Sequence, residues 1–104
     1  MIKNMTPHDV NIVDDKGNVI GTFPSDGLIR LKAETISVGH HDGVRLSSTK
    51  FGNPEGLPKE KAGTLLIVSQ LVKSALPERN DLVVPAEIIR DENGQIIGCK
   101  SLGV

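Results

Sequence analysis

The chain has 104 residues, 12 of them basic and 13 acidic, and its net charge is −1. Only Phe23 and Phe51 are aromatic, and no basic patch stands out. Proteins that bind nucleic acids usually carry such a patch or stacking aromatics, so this composition argues against nucleic acid as a partner. The N-terminus lacks a signal-peptide core and no apolar run approaches a membrane span. We therefore expect a cytoplasmic protein, or part of a particle assembled in the cytoplasm, with no membrane association.

Aliphatic residues dominate the candidate core. Ile, Val and Leu together make up thirty residues, which favours one domain, residues 1–104, built mainly of strands. The lone Cys99 excludes an intramolecular disulfide and the usual multi-cysteine zinc sites. Because it alternates with Ile97 along the last predicted strand, we interpret Cys99 as a small core residue.

The first half of the chain predicts successive strands separated by turns. Strands at 10–13 and 18–23 flank the Gly-containing turn Asp14–Gly17 and form a hairpin. A third strand is expected at 28–33. A second hairpin is expected over 35–50, with its turn at 39–43.

The middle of the chain contains the one predicted helix. Two Gly and two Pro between residues 51 and 58 indicate an irregular, ordered loop. The apolar run 64–68 predicts a central strand, and Ser69 directly after it can cap a helix. That helix, at about 69–76, places Leu71, Val72, Ala75 and Leu76 on one face and ends at Pro77.

The last hairpin repeats the first at a constant offset of 77 residues. A strand at 82–84 is expected to stop at Pro85, and the turn Asp91–Gly94 follows. The segment 91–98 aligns with 14–21, with Asp and Gly at the same places. Shared turn chemistry is the main interpretation, and internal duplication is the alternative. The sequence as a whole predicts an α+β, mostly β fold, as a small antiparallel sheet or an open barrel of hairpins with one short helix.

Polar residues just before the first long strand form one candidate binding segment. Asn4, Thr6 and His8 would face the same side at a spacing of two, with Pro7 stiffening the segment. Such a row can bind a small polar ligand, or His8 can transfer protons. The alternative is that Asn4 and Thr6 satisfy local backbone groups and that His8 closes one end of the barrel.

Three further candidates flank the helix. Ser69 at the helix start can take an anion, although capping alone also explains it. Arg79 can bind a carboxylate or phosphate, or it can pair with Asp81 or Glu78. The segment 40–42, His-His-Asp, is interpreted as a solvated turn because neighbouring strand residues point to opposite faces. The sequence indicates neither a metal site nor a cofactor.

Several of these segments resemble a family of small uncharacterised proteins of tailed bacteriophages and prophages. The resemblance rests on residues 4–10 (NMTPHDV), 51–58 (FGNPEGLP), 67–72 (IVSQLV), 79–82 (RNDL), Pro85 and 90–98 (RDENGQIIG), and covers essentially the whole chain. It differs at Met5 and Leu66, where Leu and Tyr are common. It implies a phage or prophage origin and a host-cytoplasmic setting, and it draws attention to the same polar positions: Asn4, Thr6, His8, Ser69, Arg79 and Asp81.

Three functions are compatible with these patterns. The first is a binding or interaction module that takes a host protein or a small anionic ligand, for example as a modulator of host defence. The second is a structural or assembly component of a phage particle, in which exposed strands pair into homo-oligomers. The third is a small hydrolase or transferase that uses His8 with Asp81 or Ser69. No nucleophile constellation favours the third.

Overall fold

Eight strands and one short helix form the protein, and the computed structural model describes all residues from 1 to 104. The helix α1 spans Gln70–Ala75, and no helix has the length and apolarity needed to cross a membrane. The expected α+β, mostly β fold is confirmed. The strands are β1 (Ile2–Asn4), β2 (Val10–Val13), β3 (Val19–Phe23), β4 (Ala33–His41), β5 (Val44–Phe51), β6 (Leu65–Ile67), β7 (Leu82–Arg90) and β8 (Ile96–Gly103).

Six of the strands form one curved sheet in the order β1-β6-β7-β8-β2-β3. Its two edges approach each other, because Asn4 at the end of β1 bridges Ser25 just after β3. Across this seam the Asp26 N–H donates to the Asn4 carbonyl oxygen at 2.7 Å. The sheet is therefore a nearly closed barrel, which is the second of the two arrangements expected from the sequence.

Long-range contacts in the barrel are mainly parallel strand pairs. β1 runs parallel to β6, β6 to β7, and β2 to β8. Only the hairpins β2–β3 and β7–β8 are antiparallel within this sheet. Turn signals in a sequence mark antiparallel neighbours, whereas parallel strands come from distant segments. The sheet is therefore mixed, and the turn signals in the sequence indicated only its antiparallel pairs.

The core lies on both sides of β6. Leu66 and Val68 belong to one buried cluster, with Leu82 of β7 and Val72 of α1. Ile67 points to the other face and belongs to a second cluster that contains Cys99. The strand predicted at 64–68 is present as Leu65–Ile67, with Leu66 and Ile67 buried on opposite faces, but it lies next to the edge strand β1 and not at the centre of the sheet.

The helix begins where the sequence predicts. Ser69 is its N-cap, and its hydroxyl oxygen accepts the Val72 N–H at 3.3 Å. Val72 is buried, and Leu76 packs against the first core cluster. Leu71 was expected on the same face, but it is exposed. The six-residue helix has one turn of contact with the sheet, and Leu71 falls outside it.

Two expected strand boundaries are wrong. The strand expected at 28–33 begins only at Ala33, and Arg30 instead exchanges two backbone hydrogen bonds with Glu55. β7 runs on through Pro85 to Arg90. The Pro85 nitrogen faces the β6 side, like the backbone of Val83, and β6 has already ended there. A missing N–H is tolerated at such an unpaired position.

The two similar hairpin turns have the same hydrogen bonds. In the first, Asp14 N–H donates to Asn18 O, and the Asp14 side chain accepts the N–H groups of Lys16 and Asn18. Asp91 makes the three corresponding contacts in the second turn. Gly17 and Gly94 adopt φ angles of 82° and 81°. The two turns therefore share one turn chemistry, which both shared turn preference and internal duplication would give.

β4 and β5 form a separate two-stranded hairpin, which we call the arm (residues 33–51). The hairpin predicted over 35–50 is confirmed. Its turn is tighter than expected, because β4 continues through His41 and only Asp42 and Gly43 turn. Both have positive φ, as a two-residue hairpin loop requires.

Candidate functional site

The main cavity of the protein opens on one wall of the barrel and has a volume of about 290 Å³. It lies between the start of β2, the junction of β6 with α1, and the β7–β8 hairpin. Valine and isoleucine side chains form one part of its lining, and the buried Cys99 lies at its floor. Its apolar lining includes Val10, Val68, Ile88, Ile96 and Ile97.

Polar side chains surround one side of this cavity. Thr6, His8 and Ser69, three of the six predicted site residues, line it together. The structure adds Asp9 and Asn11, which the sequence did not single out. A concave apolar surface with a few convergent polar groups is typical of a small-ligand site. The volume is close to the lower end of the ~300–1,000 Å³ range of such sites.

His8 is the polar group most available to a ligand. Its side chain is exposed and makes no hydrogen bond within the protein, whereas its neighbours are engaged. The Asp9 carboxylate accepts the Ser25 N–H at 3.3 Å, and the Ser69 hydroxyl caps the helix. The Thr6 hydroxyl lies 2.6 Å from Asn4 Oδ1 and 3.0 Å from the His8 carbonyl oxygen.

Asn4 is a structural residue and does not line this cavity. Only 1% of it is exposed, and its amide group donates to the carbonyl oxygens of His8 and Phe23 at 2.7 and 2.8 Å. Its Oδ1 accepts the Thr6 N–H at 3.0 Å. These bonds fasten the loop before β2 to the barrel seam. Asn4 therefore positions Thr6 and His8 and does not contact a ligand in the cavity.

Arg79 and Asp81 lie away from the cavity and satisfy each other. Two short bonds, of 2.8 and 2.7 Å, join the guanidinium to both carboxylate oxygens, and Arg79 also donates to the Pro58 carbonyl oxygen. The hydrogen bond from Arg79, opposed by burial, holds the pKa of Asp81 below its ordinary value of 3.8. The six candidate residues therefore do not share one pocket, because this pair fastens a loop to the start of β7.

Cys99 is confirmed as a core residue. It is 1% exposed, and burial raises the pKa of its thiol above the ordinary value of 9.0. The thiol lies 3.6 Å from the Asn11 carbonyl oxygen. A buried, protonated thiol is a poor nucleophile, so Cys99 forms the cavity floor and not a reactive group.

The two pairings that the sequence offered for His8, with Ser69 and with Asp81, are not formed in this structure. His8 makes no hydrogen bond to Ser69, and Asp81 belongs to the distant ion pair. At the tip of the arm, His41 lies 3.5 Å from Asp42 and both are exposed. No group of three or more His, Cys, Asp or Glu side chains is placed to hold a metal ion.

The sequence pointed to the polar side of the cavity and missed its aliphatic side. Ile88, Ile96 and Ile97 were interpreted as ordinary strand residues. Their position beside the cavity depends on the close approach of β8 to β2. A Cβ at Gly98 would lie 2.8 Å from both the Asn11 carbonyl oxygen and the Val13 side chain. The glycine at that position was the one available signal of this close approach.

Comparison of the chain with known protein families, with curated proteins and with solved structures finds no match.

Proposed function

We propose that the protein is a small binding module of phage or prophage origin whose barrel cavity holds a small ligand. The observation that carries the proposal is the convergence of Thr6, His8 and Ser69 beside an open aliphatic cavity. The resemblance described above supports the origin and a role inside the host cell, where such a ligand would be a host metabolite or a group on a host protein.

The lining favours a ligand with an apolar body and one hydrogen-bonding group. Ile88, Ile96 and Ile97 offer aliphatic contact, and His8 offers the free polar group. His8 is the only basic side chain in the lining, and Asp9 beside it is acidic. A neutral polar group is therefore accommodated better than the anion expected from the sequence, because an anion would meet the Asp9 carboxylate.

Methyl NMR with two ligands of the same shape tests this proposal. Benzamide and benzoate share an apolar ring and differ in charge, and both belong in a panel of small amphipathic fragments. We expect benzamide to shift the methyl signals of Ile88 and Ile97 in a saturable way, with benzoate binding more weakly. If no fragment of the panel shifts these signals, the cavity is not a ligand site.

The twin hairpins supply a matched control. Ile97 lines the cavity, whereas Ile20, its counterpart at the offset of 77, is exposed and lies outside it. Ile97→Lys should abolish the shifts of the Ile88 methyl groups, and Ile20→Lys should leave them unchanged. Equal binding by both variants would locate the ligand elsewhere.

An assembly role in a phage particle is the second candidate. The exposed arm supports it, because a projecting β-hairpin is suited to contacts between subunits. Electron microscopy of particles produced without the protein, compared with complemented particles, tests this role. Intact, infectious particles in its absence would argue against it.

A further inference from the structure

The protein exposes more surface than a compact chain of its size. Its accessible area is 7301 Å², whereas a compact monomer of this mass exposes about 5,700 Å². Its radius of gyration is 16.8 Å, against about 13 Å for a compact domain of this length. The excess of about 1,600 Å² is roughly twice the ~800 Å² that each partner buries in a stable dimer.

The arm accounts for this shape. Every residue of β4 and β5 is exposed, and the two strands pair only with each other. Just beyond its base, the Gly52 N–H donates to the Lys32 carbonyl oxygen at 2.9 Å. An isolated two-stranded hairpin is only marginally stable in water. The arm therefore needs packing against another surface to be stable, and the rest of the chain does not supply it.

One face of the arm carries three aliphatic side chains at its centre and tip, and the other face is mainly polar. Ile36 stands opposite Ser48, and Leu46 and Val44 follow Ser48 on the same face at a spacing of two. We call Ile36, Val44 and Leu46 the apolar face of the arm. The opposite face is formed by Ala33 with Phe51 at the base, Thr35 with Thr49, Ser37 with Ser47, and His40 with Arg45. A half-apolar ribbon of this kind has one face to be covered.

The charges of the arm are self-complementary. It contains two acidic residues, Glu34 and Asp42, and two basic residues, Arg45 and Lys50. Asp42 lies at the tip, and Lys50 lies near the base on the apolar face, directly opposite Glu34. When two arms pack antiparallel about a two-fold axis, each Asp42 approaches the Lys50 of the other copy. A strongly acidic or basic partner would find no such match.

We propose that the arm is a dimerisation element whose apolar face packs against the same face of the arm of a second copy, tip to base. The interface is isologous, because each residue meets its own counterpart or the reciprocal residue across the two-fold axis. Dimerisation removes the exposed aliphatic side chains from water and orders the hairpin. It is independent of the ligand proposed for the barrel cavity.

Light scattering coupled to size exclusion tests the proposal on the full chain. We expect a mass twice the 11.1 kDa of one chain at micromolar concentrations. Leu46→Asp should raise the dissociation constant about 30-fold or more, since it places a charge in the centre of an apolar contact. Ser47→Asp, next in the chain but on the polar face, should leave the dimer intact. Both sites are exposed, so both variants should fold.

Charge reversal tests the tip-to-base orientation. Asp42→Lys and Lys50→Asp should each weaken the dimer, and the double variant should restore it, because the pair is then reversed in both copies. A wild-type protein that is monomeric at every concentration overturns the proposal. A dimer that Ser47→Asp disrupts and Leu46→Asp leaves intact also overturns the proposal. If the double reversal fails to restore the dimer, the antiparallel packing is wrong.

Discussion

The barrel and the arm contain similar aliphatic residues, but they use them differently. In the barrel, β6 buries Leu66 and Ile67 on opposite faces because the helix, loops and strands from distant parts of the chain cover both. In the arm, Leu46 and Val44 alternate with polar residues just as regularly, and nothing in the same chain covers them. Alternation alone therefore specifies a face but not its partner, which for the arm must be another molecule.

A charge pair provides the sharpest test of this difference. We expect Arg79→Ala to lower the free energy of unfolding by about 3–5 kcal/mol, because it leaves the Asp81 carboxylate buried without its partner. Asp42→Asn in the arm removes an exposed contact with His41 and should change it by less than about 0.5 kcal/mol. Urea unfolding at protein concentrations low enough to keep the chain monomeric measures both. A similar loss in the two variants would show that the arm is coupled to the barrel.

Leucine truncation extends the test to apolar residues. Leu66→Ala should cost about 2–5 kcal/mol, since the side chain is buried and leaves a cavity. Leu46→Ala should cost little in the monomer, because its side chain already contacts water. The cost of Leu46→Ala should rise with protein concentration if the arm dimerises. Concentration-dependent thermal unfolding distinguishes these outcomes.

Acid should destabilise the barrel through Asp81. The pKa of Asp81 in the folded protein lies below its ordinary value of 3.8, so its ionised form binds Arg79 and stabilises the fold above that pH. This contribution should fade as the pH falls below about 4. Unfolding of wild type and Asp81→Asn at pH 7, 5 and 3 should show a difference in stability that shrinks at pH 3. A constant difference would assign the effect to packing alone.

Glycine substitutions in the two hairpin turns have the smallest expected effect, and they distinguish local from global unfolding. Gly94→Ala and Gly43→Ala each place a side chain at positive φ, which costs about 1–2 kcal/mol. In the barrel hairpin this cost should lower the melting temperature. In the arm it should only open the hairpin, with faster amide exchange over residues 33–51 and an unchanged melting temperature. Hydrogen-exchange mass spectrometry compares the two directly.

Local signals in the sequence predicted much of this architecture. The turns at Asp14–Gly17 and Asp91–Gly94, the Ser69 cap and the apolar run before it all specify conformations within a few residues of themselves. The parallel pairs could not be predicted in the same way, because Ile12 and Cys99 are adjacent only in the folded sheet. The sequence predicts that β7 ends at Pro85, but the strand continues to Arg90. The missing N–H of Pro85 breaks no strand pairing, because β6 has already ended there.

The sequence predicted only the polar part of the candidate site, because local signals mark its polar residues and not its aliphatic ones. Thr6, His8 and Ser69 are polar residues at strand ends, and such residues tend to face open space. Arg79 and Asp81 have the same residue types, but their two-residue separation lets them bind each other. Ile97 looked like any strand residue, and only the close approach of β8 to β2 places it beside the cavity.

The pairing of β2 with β8 has a consequence for how the chain folds. It joins Ile12 to Cys99, and the pairing of β1 with β6 joins Ile2 to Leu65, so both require long loops to close. Contacts of such high sequence separation form slowly, and the barrel cannot be completed until its last hairpin has left the ribosome. The arm needs only its own nineteen residues, 33–51, to make its pairs. During synthesis it can present its apolar face to a neighbouring nascent chain before either barrel exists.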